Sequence, residues 1–301
     1  MTSKKYHGLL LLDKPQGLTS HDVVSQIRKI FGTKEVGHSG TLDPMATGLM
    51  VLLLGEATKL SNYITDGDKA YQVSVRMGIE TDTLDTTGTV IQEKPVLKSP
   101  TEIQNIAVNL VGEFQLAIPM YSAKKIDGKK MYEYAREGVA IEIPQKKMTF
   151  WDVQKISDQD LQFSIQCSKG SFIRSWVKLL GEKCDTVATM SQLRRTRSHL
   201  FNLENAVTFE TLKNNTENLD QFLISMSEAL PEVQKIKVKG QDETLLRNGQ
   251  ISHDLRAQLI IKFNPDVDEL IQISPASGVG ILALIGIEPE KGFKIKRIFN
   301  L

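Results

Sequence analysis

The chain has 301 residues, 41% hydrophobic and 24% charged, with 37 Lys and Arg against 36 Asp and Glu for a net charge of +1. That length accommodates one large domain and a small one, and the composition excludes a chain that is disordered throughout. The near-neutral balance does not advertise a polyanion partner, so any nucleic-acid reading rests on local clusters.

Residues 1–6 lead into a short apolar run at 9–12 that is too brief for a secretory segment and is broken at once by Asp13. No apolar stretch approaches the ~20 residues of a membrane helix, and the expected location is the cytoplasm. Residues 8–12 read as a strand. From 20 to about 30, Val23, Val24, Ile27 and Ile30 share one helical face, with Ser20 as the expected N-cap.

Next comes Gly37-His38-Ser39-Gly40-Thr41-Leu42-Asp43-Pro44-Met45-Ala46-Thr47-Gly48, too irregular for a long helix or strand. Glycine admits unusual backbone angles, and Pro44 fixes its own φ while pushing Asp43 toward an extended conformation. Such a loop is built to aim one side chain. No second carboxylate nearby makes a glycosidase pair, and no Lys-Ser/Thr follows the glycines as a phosphate-binding loop requires. A lone activated nucleophile remains, beside the commoner role of Asp as a helix cap or Asx-turn.

Residues 49–54 read as a buried strand or a helix start, and 71–76 alternate as a half-exposed strand that begins at Tyr71. Residues 100–110 read as a helix with Pro100 near its start. Residues 161–167 alternate strictly, and 172–180 have helical spacing with Arg174 early. From about 231 the pattern changes to short strands at 234–238, 258–263, 269–273 and 280–287, with a turn at Asn264-Pro265-Asp266.

Basic residues gather in three places: Lys124, Lys125, Lys129 and Lys130 around Asp127-Gly128; Arg194, Arg195 and Arg197; and Lys235, Lys237 and Lys239. Each alone is an ordinary solvated surface, though such groups also attract phosphates through counterion release. Cys167 and Cys184 are too few for a disulfide framework and lack zinc-ligand spacing with the scattered histidines. Reduced thiols and no metal are expected. Asp13, Asp82 and Asp85 assemble no metal site in the sequence.

The Asp43 segment resembles the central motif of the TruB family of tRNA pseudouridine synthases, and further segments match in the same order. Upstream lies Leu12-Asp13-Lys14-Pro15-Gln16-Gly17. Downstream follow Leu54-Gly55-Glu56-Ala57-Thr58-Lys59, Asp68-Lys69-Ala70-Tyr71, Arg76-Met77-Gly78 and Thr81-Asp82-Thr83. The series closes with Pro119-Met120-Tyr121-Ser122-Ala123-Lys124-Lys125, Lys169-Gly170-Ser171-Phe172-Ile173-Arg174 and Leu193-Arg194-Arg195-Thr196.

The resemblance implies an α+β fold of the pseudouridine synthase kind, with a mixed, largely antiparallel central sheet flanked by helices and loops. It implies a catalytic domain over 1–230 with an RNA-gripping thumb at about 117–145, and a small β-rich PUA-like RNA-binding domain over 231–301. The match is weakest in that tail, where Leu245-Leu246-Arg247-Asn248-Gly249-Gln250 carries it. The implied reaction isomerises uridine 55 in the tRNA T-loop to pseudouridine. The base is flipped, its bond to ribose is cleaved with Asp43 as nucleophile, and the rotated base is rejoined through C5. Attack at the anomeric carbon, attack at C6 of uracil and a glycal route all stay open.

By the same resemblance Arg174 pairs with Asp43, and Tyr71 stacks on the uracil and assists proton removal. His38 contacts RNA where the base leaves the stack, and Leu193 lines the uracil pocket. Phe172 stands where relatives often carry tyrosine, which suggests packing and puts in doubt any need for a hydroxyl there. Lys124, Lys125, Lys129 and Lys130 bind RNA, while Lys14 and Pro15 support the catalytic loop. The implied partner is the tRNA T-arm stem-loop, with no cofactor, metal, membrane or protein partner required. Two other classes use the same residues: a module that folds tRNA without chemistry, and a base hydrolase, which free uracil would reveal.

Overall fold

Residues 9–12 and 49–54 are apolar at every position, the pattern of strands covered on both faces rather than one. The computed structural model describes residues 5–157, 160–264, 269–278, 280–288 and 290–300. It sets β1 (Gly8–Lys14) and the short β2 (Val36–His38) against β3 (Thr47–Leu54), both antiparallel to it. Leu9 and Leu11 join Leu49, Val51 and Leu53 in one core, while Leu10 and Leu12 join Met50, Leu52 and Leu54 in another. Burial on both faces removes the period-two alternation, which is why strand and helix were indistinguishable at 49–54.

Helix α1 (Ser20–Phe31) lays Val23, Val24 and Ile27 on the second of these cores. Its cap is Thr19, not the expected Ser20: Thr19 Oγ1 accepts from the Asp22 N–H at 3.0 Å, and the Asp22 carboxylate accepts from the Thr19 N–H at 2.9 Å. Such a capping box stabilises a helix start by about 1 kcal/mol. Ser20 is buried and turned toward the Asp43 loop.

Beyond α2 (Ser61–Thr65) runs β4 (Lys69–Met77), then the hairpin of β5 (Ile79–Thr81) and β6 (Val90–Glu93). Helix α3 (Pro100–Asn109) follows, capped by Ser99, and then β7 (Gly112–Ala117). A small hairpin, β8 (Lys125–Ile126) and β9 (Lys129–Lys130), turns through Asp127 (φ 51°) and Gly128 (φ 82°), the two left-handed residues that a tight hairpin turn needs. It leads to α4 (Met131–Glu137), β10 (Gln145–Lys155), β11 (Gln162–Cys167), α5 (Ile173–Lys183) and β12 (Ala188–Ser198). The short β13 (Phe201–Asn202), α6 (Phe209–Lys213) and β14 (Leu223–Ile224) complete this part.

The large sheet runs β14-β1-β3-β12-β4-β11-β10-β7, with β2 also on β3 and β13 also on β12. Strand β12 meets β3 in parallel and the other neighbours are antiparallel, so the sheet is mixed and largely antiparallel, as expected. Helix α5 packs on it through Trp176, fully buried, whose Nε1–H donates to the Leu110 carbonyl at 3.1 Å. The N-terminus of α5 and the start of β4 line one cavity, through Ile173 and Arg174 on one side and Lys69 and Tyr71 on the other.

The C-terminal part forms a small β-rich unit: β15 (Gln234–Val238), α7 (Gln241–Arg247), α8 (His253–Lys262), β16 (Ile271–Pro275), β17 (Ala283–Glu288) and β18 (Gly292–Ile298). Its sheet order is β15-β16-β17-β18. The strand expected at 258–263 is instead the end of α8. Ser252 caps that helix on the Leu255 N–H at 2.9 Å, and Leu255 and Leu259, four apart, are buried. The β-branched pair Ile260 and Ile261 favours a strand by propensity, but helical packing of the two leucines decides. Of the expected turn, Pro265 and Asp266 lie outside the described residues. Phe299 is fully buried among Leu9, Leu49 and Leu284, joining the small sheet to the large one.

Candidate active site

The loop of residues 39–46 has no regular structure and is held from several directions. Lys14, fully buried at the end of β1, donates from Nζ to the carbonyls of Ala46 at 2.7 Å, Pro15 at 3.0 Å and Pro44 at 3.3 Å. Burial pushes its ammonium down to about 8, against the opposing pull of the Asp43 charge. Ser20 Oγ accepts from the Leu42 N–H at 2.9 Å and lies 3.1 Å from the Leu42 carbonyl, to which it donates. The Gly17 N–H donates to Pro44 O at 2.8 Å.

Arg195 supplies the remaining anchor. The sequence grouped it with Arg194 and Arg197 as a surface cluster, and the structure corrects that. Arg195 is buried, with Nε donating to Leu49 O at 2.7 Å and Nη2 to Gly40 O at 3.3 Å. Arg194 pairs with Asp13 at 2.7 Å, and Arg197 donates to Gln166. Alternation along β12 is the physical reason: Leu193 and Arg195 face the pocket while Arg194 faces away. Gly48 (φ 97°) lets β3 approach closely, because a Cβ there would collide with the Arg195 backbone.

Asp43, so held, meets Arg174 in the first turn of α5. Arg174 Nη2 lies 3.0 Å from Asp43 Oδ2, and also donates to the Tyr121 carbonyl at 3.0 Å, while Nη1 donates to Thr83 O at 2.9 Å. The guanidinium is 5% exposed and the carboxylate 31%, its open side toward the pocket. Burial raises the Asp43 carboxyl above the usual carboxylate range. Arg174 opposes this, Asp85 adds to it and Lys14 opposes it less strongly. Helix α5 has no side-chain cap, so the positive end of its dipole also lies at this wall.

Asp85, which the sequence set aside, is a further member of the site. It is buried, with Oδ2 3.9 Å from Arg174 Nη1, and Oδ1 accepts from the Thr87 N–H at 2.9 Å and the Thr83 hydroxyl at 2.9 Å. Threonines on both sides of an aspartate in Thr83-Leu84-Asp85-Thr86-Thr87 were the available signal, since they satisfy a buried carboxylate.

Tyr71, in β4, stands directly across from Arg195 in the β4–β12 register. Burial drives its hydroxyl up to about 12, with the Arg195 charge acting the other way. Together Asp43, Tyr71, Phe172, Arg174 and Leu193 line one cavity of about 480 Å³, with Lys124 at its edge. That is the size of an ordinary small-ligand site, roughly 300–1,000 Å³. Cys167 is part of its wall, and burial pushes that thiol up to about 12, leaving it neutral.

The other predicted residues lie elsewhere. Lys14 and Pro15 are behind the loop. His38 is on β2, half-buried, with Nδ1 lacking any partner, and burial followed by the Arg195 charge lowers its pKa. Lys125, Lys129 and Lys130 belong to the β8–β9 hairpin. Lys129 pairs with Glu137 and sits over the Tyr134 ring, and Lys130 donates to the Tyr132 hydroxyl at 3.1 Å.

Among solved structures, the chain is similar to one of an H/ACA RNP bound to a substrate RNA containing 2′-deoxyuridine. The TM-score is 0.67 at 19% identity, covering 98% of this chain and 86% of that one. A chain of a Cbf5-Nop10-Gar1 complex gives a TM-score of 0.65 at 21% identity, covering 98% and 85%. These likenesses show a shared fold, and the class, that of the pseudouridylate synthases, comes from the family models. Residues 28–173 match the family described as TruB family pseudouridylate synthase (N terminal domain), and 174–231 match the tRNA pseudouridylate synthase B C-terminal domain. A tRNA pseudouridine synthase B of Bdellovibrio bacteriovorus is 50% identical over 306 residues, covering 100% of this chain and 99% of that protein. Another, of Clostridium perfringens, is 36% identical over 296 residues, covering 97% and 98%. The chain belongs to the TruB family of tRNA pseudouridine synthases, and it isomerises uridine in tRNA to pseudouridine.

Proposed function

We propose that the uridine is that at position 55, in the T-loop, and that Asp43 attacks once the base has been everted into the cavity. The observation that carries this is the Asp43 carboxylate held against Arg174 at 3.0 Å inside a pocket also lined by Tyr71. The reacting atoms of a stacked base are out of reach of a catalytic side chain, so the nucleotide must leave the stack first, and the folded stem-loop around it is recognised by shape. His38, on a strand next to the loop, touches the RNA where that base departed.

Inside the pocket the bond from C1′ to N1 breaks and its electrons leave with uracil. Asp43 answers the electron demand, either at C1′, at C6 of the base, or by way of a glycal. The base turns, C5 bonds to C1′, the C5 proton is lost and N1 gains one. Atoms and electrons are conserved overall, so an isomerisation needs no redox partner. Tyr71, kept as a neutral phenol by its raised pKa, stacks on the ring with its hydroxyl placed to assist removal of the C5 proton, while Phe172 and Leu193 close the apolar walls.

From the pocket's rim outward, residues 117–145 act as a thumb on the T-arm, with Lys124 and Lys125 exposed toward RNA. Residues 231–301 serve as a PUA-like RNA-binding domain beside a catalytic domain of 1–230, and the exposed Lys235, Lys237 and Lys239 supply phosphate contacts there. Among the described residues no helix is long and apolar enough to cross a membrane, in keeping with an enzyme that meets tRNA in the cytoplasm.

The test is incubation with unmodified tRNA transcript, then mapping of pseudouridine by chemical adduct and primer extension. A stop reporting position 55 is expected, and its absence, or release of free uracil, overturns the reading. Asp43→Asn is expected to abolish product while leaving tRNA affinity within a few-fold.

A further inference from the structure

Three lysines from three separate segments meet at the cavity: Lys124 before β8, Lys146 in β10 and Lys169 between β11 and α5. Lys146 is half-buried and donates from Nζ to the Gly170 carbonyl at 2.9 Å. Lys169 lies 3.1 Å from Asp66, in an ion pair whose two side chains are 59% and 65% exposed. Buried Lys69 shapes the loop that presents Asp66 by donating to the carbonyls of Thr65 and Gly67. Among the described residues neither Lys124 nor Lys146 has a carboxylate partner.

A solvated lysine turns outward and avoids like charge. Lys146 does neither, since its ammonium is held onto the pocket wall with Lys124 and Lys169 close by. Burial first, then those two charges, push its pKa below the usual lysine value. Three cations gathered with one exposed carboxylate leave an unbalanced positive field, which an anion in their midst would neutralise. An everted uridine brings such an anion: its base goes inward toward Tyr71, and its two flanking phosphodiesters stay at the mouth.

We infer that Lys146, flanked by Lys124 and Lys169, holds one of the two phosphodiesters adjoining the everted nucleotide. The inference rests on the reading above that a uridine nucleotide enters this cavity. Lys146 thereby becomes a positioning residue, fixing how deep the sugar sits before bond cleavage. Lys129 and Lys130 of the β8–β9 hairpin do not share this task, because they are engaged within the thumb.

The experiment is a binding cycle with T-arm stem-loop RNAs. Each RNA carries one uncharged methylphosphonate, 5′ or 3′ of the target uridine, on a 2′-O-methyl sugar that the charged control shares. Wild type, Lys146→Gln and Lys146→Arg are compared. Loss of one charge-assisted contact is expected to raise the Kd of Lys146→Gln roughly tenfold and to lower the salt slope by about one. Lys146→Arg retains most of the affinity. One of the two methylphosphonates is expected to cost wild type that same factor and to cost Lys146→Gln nothing more. Equal losses in both proteins at both linkages overturn the inference. So does wild-type binding that neither methylphosphonate weakens, a result that needs no variant to fold. Pseudouridine mapping on unmodified stem-loop RNA separates the two readings. If no pseudouridine forms, the function proposed above fails; if it forms and the losses are additive, only the role of Lys146 fails.

Discussion

Arg174 reaches Asp43 with a single nitrogen: Nη2 lies 3.0 Å from Oδ2 and 3.2 Å from Oδ1, while Nη1 is held by the Thr83 carbonyl at 2.9 Å. A two-nitrogen fork would cover both carboxylate oxygens. Here one donor serves both, and the guanidinium plane is fixed by backbone carbonyls rather than by the carboxylate. Asp43 therefore keeps a nearby positive charge and an open side toward the cavity.

Arg174→Lys should retain the charge and lose this orientation, because an ammonium cannot satisfy Thr83, Tyr121 and Asp43 in one plane. Single-turnover rates are expected to fall on the order of 100-fold, with tRNA affinity nearly unchanged. In Arg174→Met the influence that most opposes the rise of the Asp43 pKa is gone. The acid limb of its pH–rate profile should move to higher pH. An acid limb that stays in place, measured from about pH 5 to pH 9, would remove Asp43 as the titrating group.

Asp43→Asn probes the same burial through stability. Because the folded-state pKa of Asp43 is raised, the folded protein binds this proton more tightly than the unfolded chain does. Wild-type stability therefore drops, relative to the Asn variant, as pH rises from the unfolded value of about 3.9 through the folded pKa. Thermal melts should show the Asn variant gaining on wild type from acid to neutral pH. A constant difference in Tm across that range would contradict a raised Asp43 carboxyl.

How much of this was legible beforehand depended on how each residue is used. Asp43, Tyr71, Arg174, Phe172 and Leu193 were named from motifs and converge on one cavity. The strands and helices near them followed from periodicity, since they lie half-exposed or amphipathic. Arg195 was misjudged because adjacent arginines on a strand point to opposite faces, and a run of letters does not say which one is buried. Ser20 was assigned to the helix end one residue late, and its hydroxyl serves a loop 22 residues away. Such long-range hydrogen bonds leave no trace in spacing. At 258–263 local β propensity outweighed the i, i+4 leucines, and helical packing decided otherwise.

Lys14→Met tests whether the loop depends on one buried cation. Three carbonyls lose the Lys14 donor at once, of which Pro44 O keeps the Gly17 N–H, and a buried group left unsatisfied costs about 1–3 kcal/mol. The variant should melt earlier and turn over slowly with tRNA binding largely kept. Burial pushes the Lys14 ammonium down to about 8 in the folded protein, from about 10.5 for a free lysine, so the penalty of burying its charge is fully present below pH 8. It is relieved as pH rises toward 10.5, and over that window wild type should gain stability over Lys14→Met. Parallel stability curves would show that Lys14 is not titrating there.

Ser20→Ala isolates the loop from the chemistry, because among the described residues the Ser20 hydroxyl hydrogen-bonds to Leu42, the residue before Asp43. The hydroxyl both accepts from Leu42 N–H at 2.9 Å and donates to Leu42 O at 3.1 Å, so its loss frees both backbone groups of one residue. Alanine fits the space, and helix α1 keeps its Thr19 cap, which confines the damage to the loop. A stability loss of about 1–3 kcal/mol is expected from the unpaired groups. A carboxylate displaced by a fraction of an ångström should lower kcat by roughly tenfold or more while KM stays near wild type. Cysteine in place of Ser20, a poorer hydrogen-bonding group of similar shape, should fall between the two. A variant that loses stability but turns over at the wild-type rate would mean that Ser20 anchors the fold and leaves the aim of Asp43 to Lys14 and Arg195.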